Sequence, residues 1–303
     1  MDKESDLAGT VAALGNFDGV HLGHQAMLAH AMEAAQRLGA RATVVVFEPH
    51  PRAYFQPNQP AFRLQSNLQR KRALAQRGFS SVHALAFDAA LAALSPEAFV
   101  REVLVGRLGL CGVVVGEDFR FGAGRTGDGQ DLARLAAEAN LQAFLAPLLS
   151  LPGGLKASSS QVRAALREGA VEEAERLLTR PWAIAGLVQQ GAQKGRTINF
   201  PTANIPLGDY LRPAFGVYAI RVRLPDGETR PGVANIGVKP TLGGVPEPLL
   251  EAHIFDFAGS LYGQELEVAL LHFLRPEQRF ETFQALRAQI ILDAEAARGL
   301  LRA

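Results

Sequence analysis

The run Gly15-Asn16-Phe17-Asp18-Gly19-Val20-His21-Leu22-Gly23-His24 has the residue types needed for chemistry on a phosphate. His21 and His24 are three apart at a helix start, so both imidazoles can face one guest. Donors placed there stabilise negative charge as it builds in a transition state. The spacing alone leaves two other readings open, a satisfied surface pair or half of a metal site. A second stretch, Lys156-Ala157-Ser158-Ser159-Ser160-Gln161-Val162-Arg163, sets three hydroxyls and a guanidinium at another helix start. Serines there are ordinary capping material. Together with the helix N-terminus and Arg163 they also make a polyphosphate cradle. A third stretch, Gly116-Glu117-Asp118-Phe119-Arg120-Phe121-Gly122, runs on through Gly124 and Gly127 in the spacing Gly-x-Gly-x-x-Gly. It follows a late strand, and no ribose-binding acid lies behind it in a βαβ unit. A dinucleotide site is therefore rejected, and a mobile glycine loop is expected.

The elements around these stretches follow from periodicity. The apolar run Val11-Ala12-Ala13-Leu14 leads into the first stretch, and Leu28, Ala31, Met32, Ala35 and Leu38 recur at helical spacing after it. Strand, glycine-rich turn and helix in that order aim backbone N–H groups and the positive helix end at an anion. Further strand patterns cover Ala42–Phe47, Val82–Phe87, Cys111–Gly116 and Gln142–Pro147. Helices are expected around Leu68–Gln76, after Ser95-Pro96-Glu97, over Leu132–Ala139 and over Glu172–Leu178. Alternating β and α units with apolar strands predict a Rossmann-like parallel sheet covered on both faces. Ligands sit at the C-terminal ends of such strands, where Gly15–His24, Glu48–Pro51 and Gly116–Gly122 all fall.

Thr179-Arg180-Pro181 ends the helical pattern and places a domain boundary between 180 and 181, giving domains 1–180 and 181–303. From Trp182 the strands come short and β-branched, separated by Gly, Pro and Asp, which predicts a small antiparallel β-barrel. A final helix near Glu281–Leu301, with Phe283, Leu286 and Ile290 at helical spacing, is expected to pack on the barrel or plug it.

Bulk composition narrows the classes. With 31 basic and 30 acidic residues in 303, no surplus of positive charge suits a nucleic acid or an anionic membrane. No apolar run approaches a membrane span, and the acidic, polar start Met1–Asp6 is not a signal peptide. The single Cys111 permits no disulfide framework and suits a reducing cytoplasm.

The string Gly15–Gln25 resembles the nucleotidylyltransferase superfamily, in the subgroup of bacterial bifunctional riboflavin kinase/FAD synthetases. That resemblance implies that Gly15, Phe17, Asp18, His21 and His24 bind ATP, with His21 and His24 catalytic. It also implies that Asp118 and Arg120 lie in a loop that closes on the adenine nucleotide. Lys156–Arg163 resembles the superfamily's Ile-Ser-Ser-Thr-x-x-Arg, which assigns Ser159, Ser160 and Arg163 to the β- and γ-phosphates.

In the second half no Walker A sequence occurs, and Phe200-Pro201-Thr202-Ala203-Asn204 resembles the signature of riboflavin kinase. The resemblance implies that Gly195 and Arg196 hold ATP, that Thr202 and Asn204 hold Mg²⁺ and phosphates, and that Glu251 is the general base on the ribityl hydroxyl. Alternation puts Leu249, Glu251 and His253 on one strand face, expected to be the inward one. Asn199 stands where the family usually has Gly, and Val238-Lys239 where it has Thr-Arg.

The implied function is bifunctional: riboflavin to FMN, then FMN to FAD and pyrophosphate, with ATP in both steps. The implied partners are riboflavin, FMN, FAD and ATP, without nucleic acid, membrane or an obligate protein. A pantetheine-phosphate or CMP transferase would leave the barrel unexplained. A flavin sensor or carrier would not need Glu251, Thr202, Asn204, His21 and His24.

Overall fold

The computed structural model of the protein describes residues 7–150, 156–190, 200–239 and 247–302. The chain divides into two units, Met1–Gln59 with Asn67–Ser158, and Pro60–Ser66 with Ser159–Ala303.

In the first unit the strands are β1 (Val11–Leu14), β2 (Ala42–Glu48), β3 (Val82–Ala86), β4 (Gly112–Gly116) and β5 (Gln142–Ala146). They form one parallel sheet in the order β3-β2-β1-β4-β5. The runs in β1, β2 and β4 are apolar at successive positions because both faces are covered. Ala12, Leu14, Val45, Val113 and Val115 fill one core layer, and Val11, Ala13, Val44, Val46 and Val114 the other. The helices are α1 (Leu22–Arg37), α2 (Pro51–Phe55), α3 (Asn67–Ala75), α4 (Ala89–Ala93), α5 (Pro96–Ala98) and α6 (Gly129–Glu138). The α5 turn starts on the Ser95 hydroxyl, which accepts from the Ala98 N–H at 3.1 Å. It continues as a wide, π-type helix over Phe99–Arg107, with the Leu108 N–H reaching back five residues to Val103. On α1 the buried face is Met27, Leu28, Ala31, Ala34 and Ala35, while Met32 and Leu38 are exposed. Spacing puts those two on one face with Leu28, Ala31 and Ala35, but they fall at its solvent edge.

The second unit begins with α7 (Ser159–Arg167) and α8 (Val171–Leu178). Its strands are β6 (Trp182–Leu187), β7 (Ala203–Pro206), β8 (Gly216–Arg223), β9 (Thr229–Lys239), β10 (Glu247–Ile254) and β11 (Glu265–Pro276), followed by α9 (Phe283–Arg302). They pair antiparallel in the order β6-β11-β8-β9-β10-β7. The Gln189 N–H donates to the Asn204 carbonyl at 2.8 Å, so the chain beyond β6 meets β7 and closes the barrel. Strand β7 lies outside the sequence expectation, because its first two residues, Ala203 and Asn204, end the Phe-Pro-Thr-Ala-Asn signature. Ile184, Ile205, Ile220, Ile236, Leu250 and Val268 are fully buried.

Helix α9 packs on the outside, with Ala294 and Ala297 against Val217, Ala219 and Val233. Phe283, the first residue of the apolar spacing, is exposed. The small residues let α9 approach closely, and two ion pairs fix it. Asp293, nearly fully buried, accepts from the Arg275 Nε at 2.9 Å and from its Nη2 at 2.7 Å. Arg298 makes a two-point contact with Asp256 at 2.9 and 3.0 Å while lying over the Phe255 ring.

Pro60–Ser66 comes from the first half of the sequence but is built into this second unit. Arg63 pairs through its backbone with Asp209 and Leu211. The Trp182 indole N–H donates to the Leu64 carbonyl at 2.6 Å, and Arg180 reaches the Gln65 side chain at 3.1 Å.

Candidate active sites

At the C-terminal end of β1 the chain enters a tight loop that ends on α1. His21 is the cap of α1: its Nδ1 accepts the His24 N–H at 3.3 Å. The two imidazoles stack at 3.7 Å between centroids, so the spacing of three sets the rings side by side. Phe17, fully buried, backs His24 with ring centroids 5.2 Å apart. Gly19 takes φ +93°, and Phe17 and Val20 are also left-handed at +51° and +46°. For a β-branched or bulky residue that backbone is strained, at a cost of about 1–3 kcal/mol each. The surrounding contacts must therefore hold the loop, and the Gln25 amide does so by donating to the Val20 carbonyl at 2.9 Å. Asp18 is buried in the same turn. The Asn16 Oδ1 is buried too and has no hydrogen-bond partner among the described residues.

Gly23 explains why the motif ends in Gly-His. A Cβ there would lie 2.6 Å from the Ala157 carbonyl oxygen, so only glycine lets Lys156–Ser158 pass this close to α1. The first turn of α1 and the start of the serine motif thus meet within the first unit. Ser159 and Ser160 open α7 in the second unit. Arg163 is buried there, its Nε donating to the Phe62 carbonyl at 2.9 Å with the guanidinium over the Phe62 ring.

Beyond β4, Asp118 and Arg120 are exposed on the expected loop. That loop is pinned rather than loose. Phe121 sits in the core against Phe99, and Phe121 and Gly127 exchange backbone hydrogen bonds at 3.1 and 3.0 Å. Arg120 Nη1 donates to Asp128 at 3.3 Å. Asp128 also caps α6, and the backbone N–H of Asp131 is the main reason its carboxyl titrates below the usual range.

In the barrel, register brings the predicted residues together. Glu251 on β10 lies directly opposite Asn204 on β7 and, on its other side, opposite Asn235 on β9. Residues opposite one another share a sheet face, so the acid is flanked by two carboxamides. That face is the outer one. Leu250, Ala252 and Ile254 point into the barrel, whereas Glu251 is half-buried on the side where α9 packs. The expectation of an inward acid is corrected, since alternation gives two faces without saying which is the core. Thr202 and Asn204 line one cavity of about 80 Å³ with Val188, Phe257 and Tyr262. His253, on the same face as Glu251, is 2.9 Å from the Pro201 carbonyl and so ties the Phe-Pro-Thr segment to β10. Burial lowers the His253 pKa. Gly195, Arg196 and Asn199 lie outside the described residues. Val238 is exposed on β9, and Lys239 ends that strand.

A phosphate-type loop on a parallel sheet and a carboxylate between two asparagines on a closed barrel now stand in one chain, and comparison with known proteins gives the same pairing. The family model for FAD synthetase matches residues 3–161, and that for riboflavin kinase residues 178–301. A bifunctional riboflavin kinase/FMN adenylyltransferase of Pseudomonas fluorescens is 45% identical over 293 residues, 96% of this chain and 93% of that protein. The chain belongs to the bifunctional riboflavin kinase/FMN adenylyltransferase family. The family's protein in Escherichia coli strain K12 is 40% identical over 290 residues, covering 96% of this chain and 92% of that one. A crystal structure described as a macrolide-efflux protein from Streptococcus pneumoniae superposes with a TM-score of 0.85 at 29% identity, covering 98% of this chain and 97% of that one. Among the described residues no helix is long and apolar enough to cross a membrane.

Sequence reasoning gave no role to Arg70, Asn235 or His253. Arg70 had a signal: with Ala73 and Leu74 it falls on the helix face that α3 buries. Asn235 and His253 become visible only through strand register.

Proposed function

We propose that this chain phosphorylates riboflavin with ATP to give FMN and ADP, then adenylylates FMN with a second ATP to give FAD and pyrophosphate. The observation that carries the reading is the register that sets Glu251 beside Asn204 on the closed barrel, in a chain that also carries the capped His21–His24 loop.

In the first reaction Glu251 takes the proton from the ribityl primary hydroxyl as its oxygen bonds to the γ-phosphorus and ADP departs. Thr202 and Asn204, with Gly195 and Arg196, hold the nucleotide. The donor set fits Mg²⁺, because a hydroxyl and a carboxamide oxygen are hard neutral ligands lining one cavity. When bound, that ion screens the charge of the transferring phosphate. Among the described residues no cluster of three His, Cys, Asp or Glu side chains is set to hold a metal.

In the second reaction an FMN phosphate oxygen attacks the α-phosphorus of ATP and pyrophosphate leaves. A phosphate is already a nucleophile near neutral pH, so the protein's task is to orient it and stabilise charge. Gly15, Phe17 and Asp18 shape the loop, His21 and His24 donate to the α-phosphate, and Asp118 and Arg120 face the nucleotide. Ser159, Ser160 and Arg163 serve the β- and γ-phosphates, a role supported by their sequence motif. Functionally, 1–180 carries adenylyl transfer and 181–303 the kinase. The enzyme works in the cytoplasm without nucleic acid, membrane or an obligate protein partner.

Purified protein given riboflavin, ATP and Mg²⁺, with flavins separated over time, tests the reading. FMN should appear first, then FAD with one pyrophosphate for each. Unchanged riboflavin would contradict it, and so would FMN that never becomes FAD.

A further inference from the structure

Arg70 is a buried charge that neither proposed reaction uses. It sits in the first turns of α3, 8% exposed, although Ala73 and Leu74 already fill the core beneath that helix. A buried guanidinium is costly unless its hydrogen bonds are made. One arm donates to Glu48 at 3.1 Å and to Asn67 at 3.1 Å, and the other to the Asn16 backbone carbonyl at 3.3 Å. Asn16 and Glu48 lie at the C-terminal ends of β1 and β2, the edge of a parallel sheet where ligands bind. Arg70 therefore joins the glycine loop to the end of the neighbouring strand.

The Asn16 carbonyl is a telling place to hold. In a trans peptide the C=O and the following N–H point to opposite sides. Fixing the Asn16 oxygen on Arg70 fixes the Phe17 N–H away from it. Phe17 is the first of the left-handed residues in this loop, so its conformation is not one the chain keeps unaided. We propose that Arg70 is a positioning residue for adenylyl transfer, clamping the Asn16–Phe17 peptide so that the Phe17 N–H faces the nucleotide phosphate. Glu48 balances the buried charge and holds the guanidinium in the orientation the carbonyl needs. The proposal rests on the reading of Gly15–His24 as the ATP loop.

Arg70→Met keeps the apolar stem and removes the clamp. FAD formation from FMN and ATP is measured on the full chain, with FMN formation from riboflavin in the same preparation as a check on the second unit. The kcat for FAD formation should fall about 10–100-fold, as expected when a reacting group is held slightly out of place. KM for FMN should change little. Amide hydrogen exchange of residues 15–21 should quicken while β1 and β2 keep their protection. Arg70→Lys, which keeps one donor, should recover part of the rate, and it carries the test if Arg70→Met does not fold. An Arg70→Met enzyme with kcat near that of the parent overturns the proposal, as does a loss of rate with unchanged exchange in the loop. His24→Ala is assayed alongside. If it is fully active while Arg70→Met is slow, the assignment of the histidines fails and the clamp stands. If His24→Ala is slow and Arg70→Met is normal, the clamp alone fails.

Discussion

Glu251 owes its proposed chemistry to its neighbours in the sheet. A lone outward carboxylate on a strand would be an ordinary solvated group. Here it lies between Asn204 and Asn235, with His253 holding the Pro201 carbonyl two residues along the same face. The residue types at this site were legible in the sequence, but the facing was not, because alternation cannot distinguish a barrel's inside from its helix-covered outside. Arg70 was less legible still, since its meaning comes from a carbonyl 54 residues away in sequence. Gly23 gives a prediction at this scale. Gly23→Ala drives a methyl against the Ala157 oxygen and forces Lys156–Ser158 away from α1. Steady-state assays should show FAD formation down about 10²-fold, the cost of small misplacement at a reacting centre, with FMN formation unchanged.

Among the elements, the five-stranded parallel sheet could be read from apolar runs and caps, and Ser95 starts its helix as expected. Strand β7 and the Pro60–Ser66 segment could not. Both are short, and both are defined by backbone pairing with residues far away in sequence. That segment supplies the Leu64 carbonyl to Trp182, a fully buried indole. Trp182→Phe removes this hydrogen bond and should destabilise the second unit by about 0.5–1.5 kcal/mol in urea unfolding followed on that unit. Helix α9 offers a second test. Asp293→Ala strands Arg275 beside an apolar helix face, and breaking a buried pair of this kind costs about 3–5 kcal/mol. Arg275 is partly exposed, so the lower end of that range is expected, together with earlier thermal melting of the barrel.

For the whole molecule, the pairing of two family models in order along one chain means that each reaction should fail alone when its own site residues are changed. A flavin that enters as riboflavin must meet both chemistries, yet the two use different groups: a carboxylate for a poor hydroxyl nucleophile, and imidazole donors for a phosphate that is already nucleophilic. The histidine loop was readable early because its glycines and histidines are adjacent in sequence, whereas the kinase site is assembled from β7, β9 and β10 and needed the resemblance to be seen at all. The most direct measurement is a pair of assays on Glu251→Gln, one started from riboflavin and one from FMN, with His24→Ala run beside it. Riboflavin phosphorylation by Glu251→Gln should fall about 10²–10⁴-fold, while its FAD formation from supplied FMN continues at nearly the parent rate. His24→Ala should do the reverse, losing about 10²–10³-fold in FAD formation and keeping FMN formation. If either folded variant lost both activities together, the account of two separate sites would be contradicted.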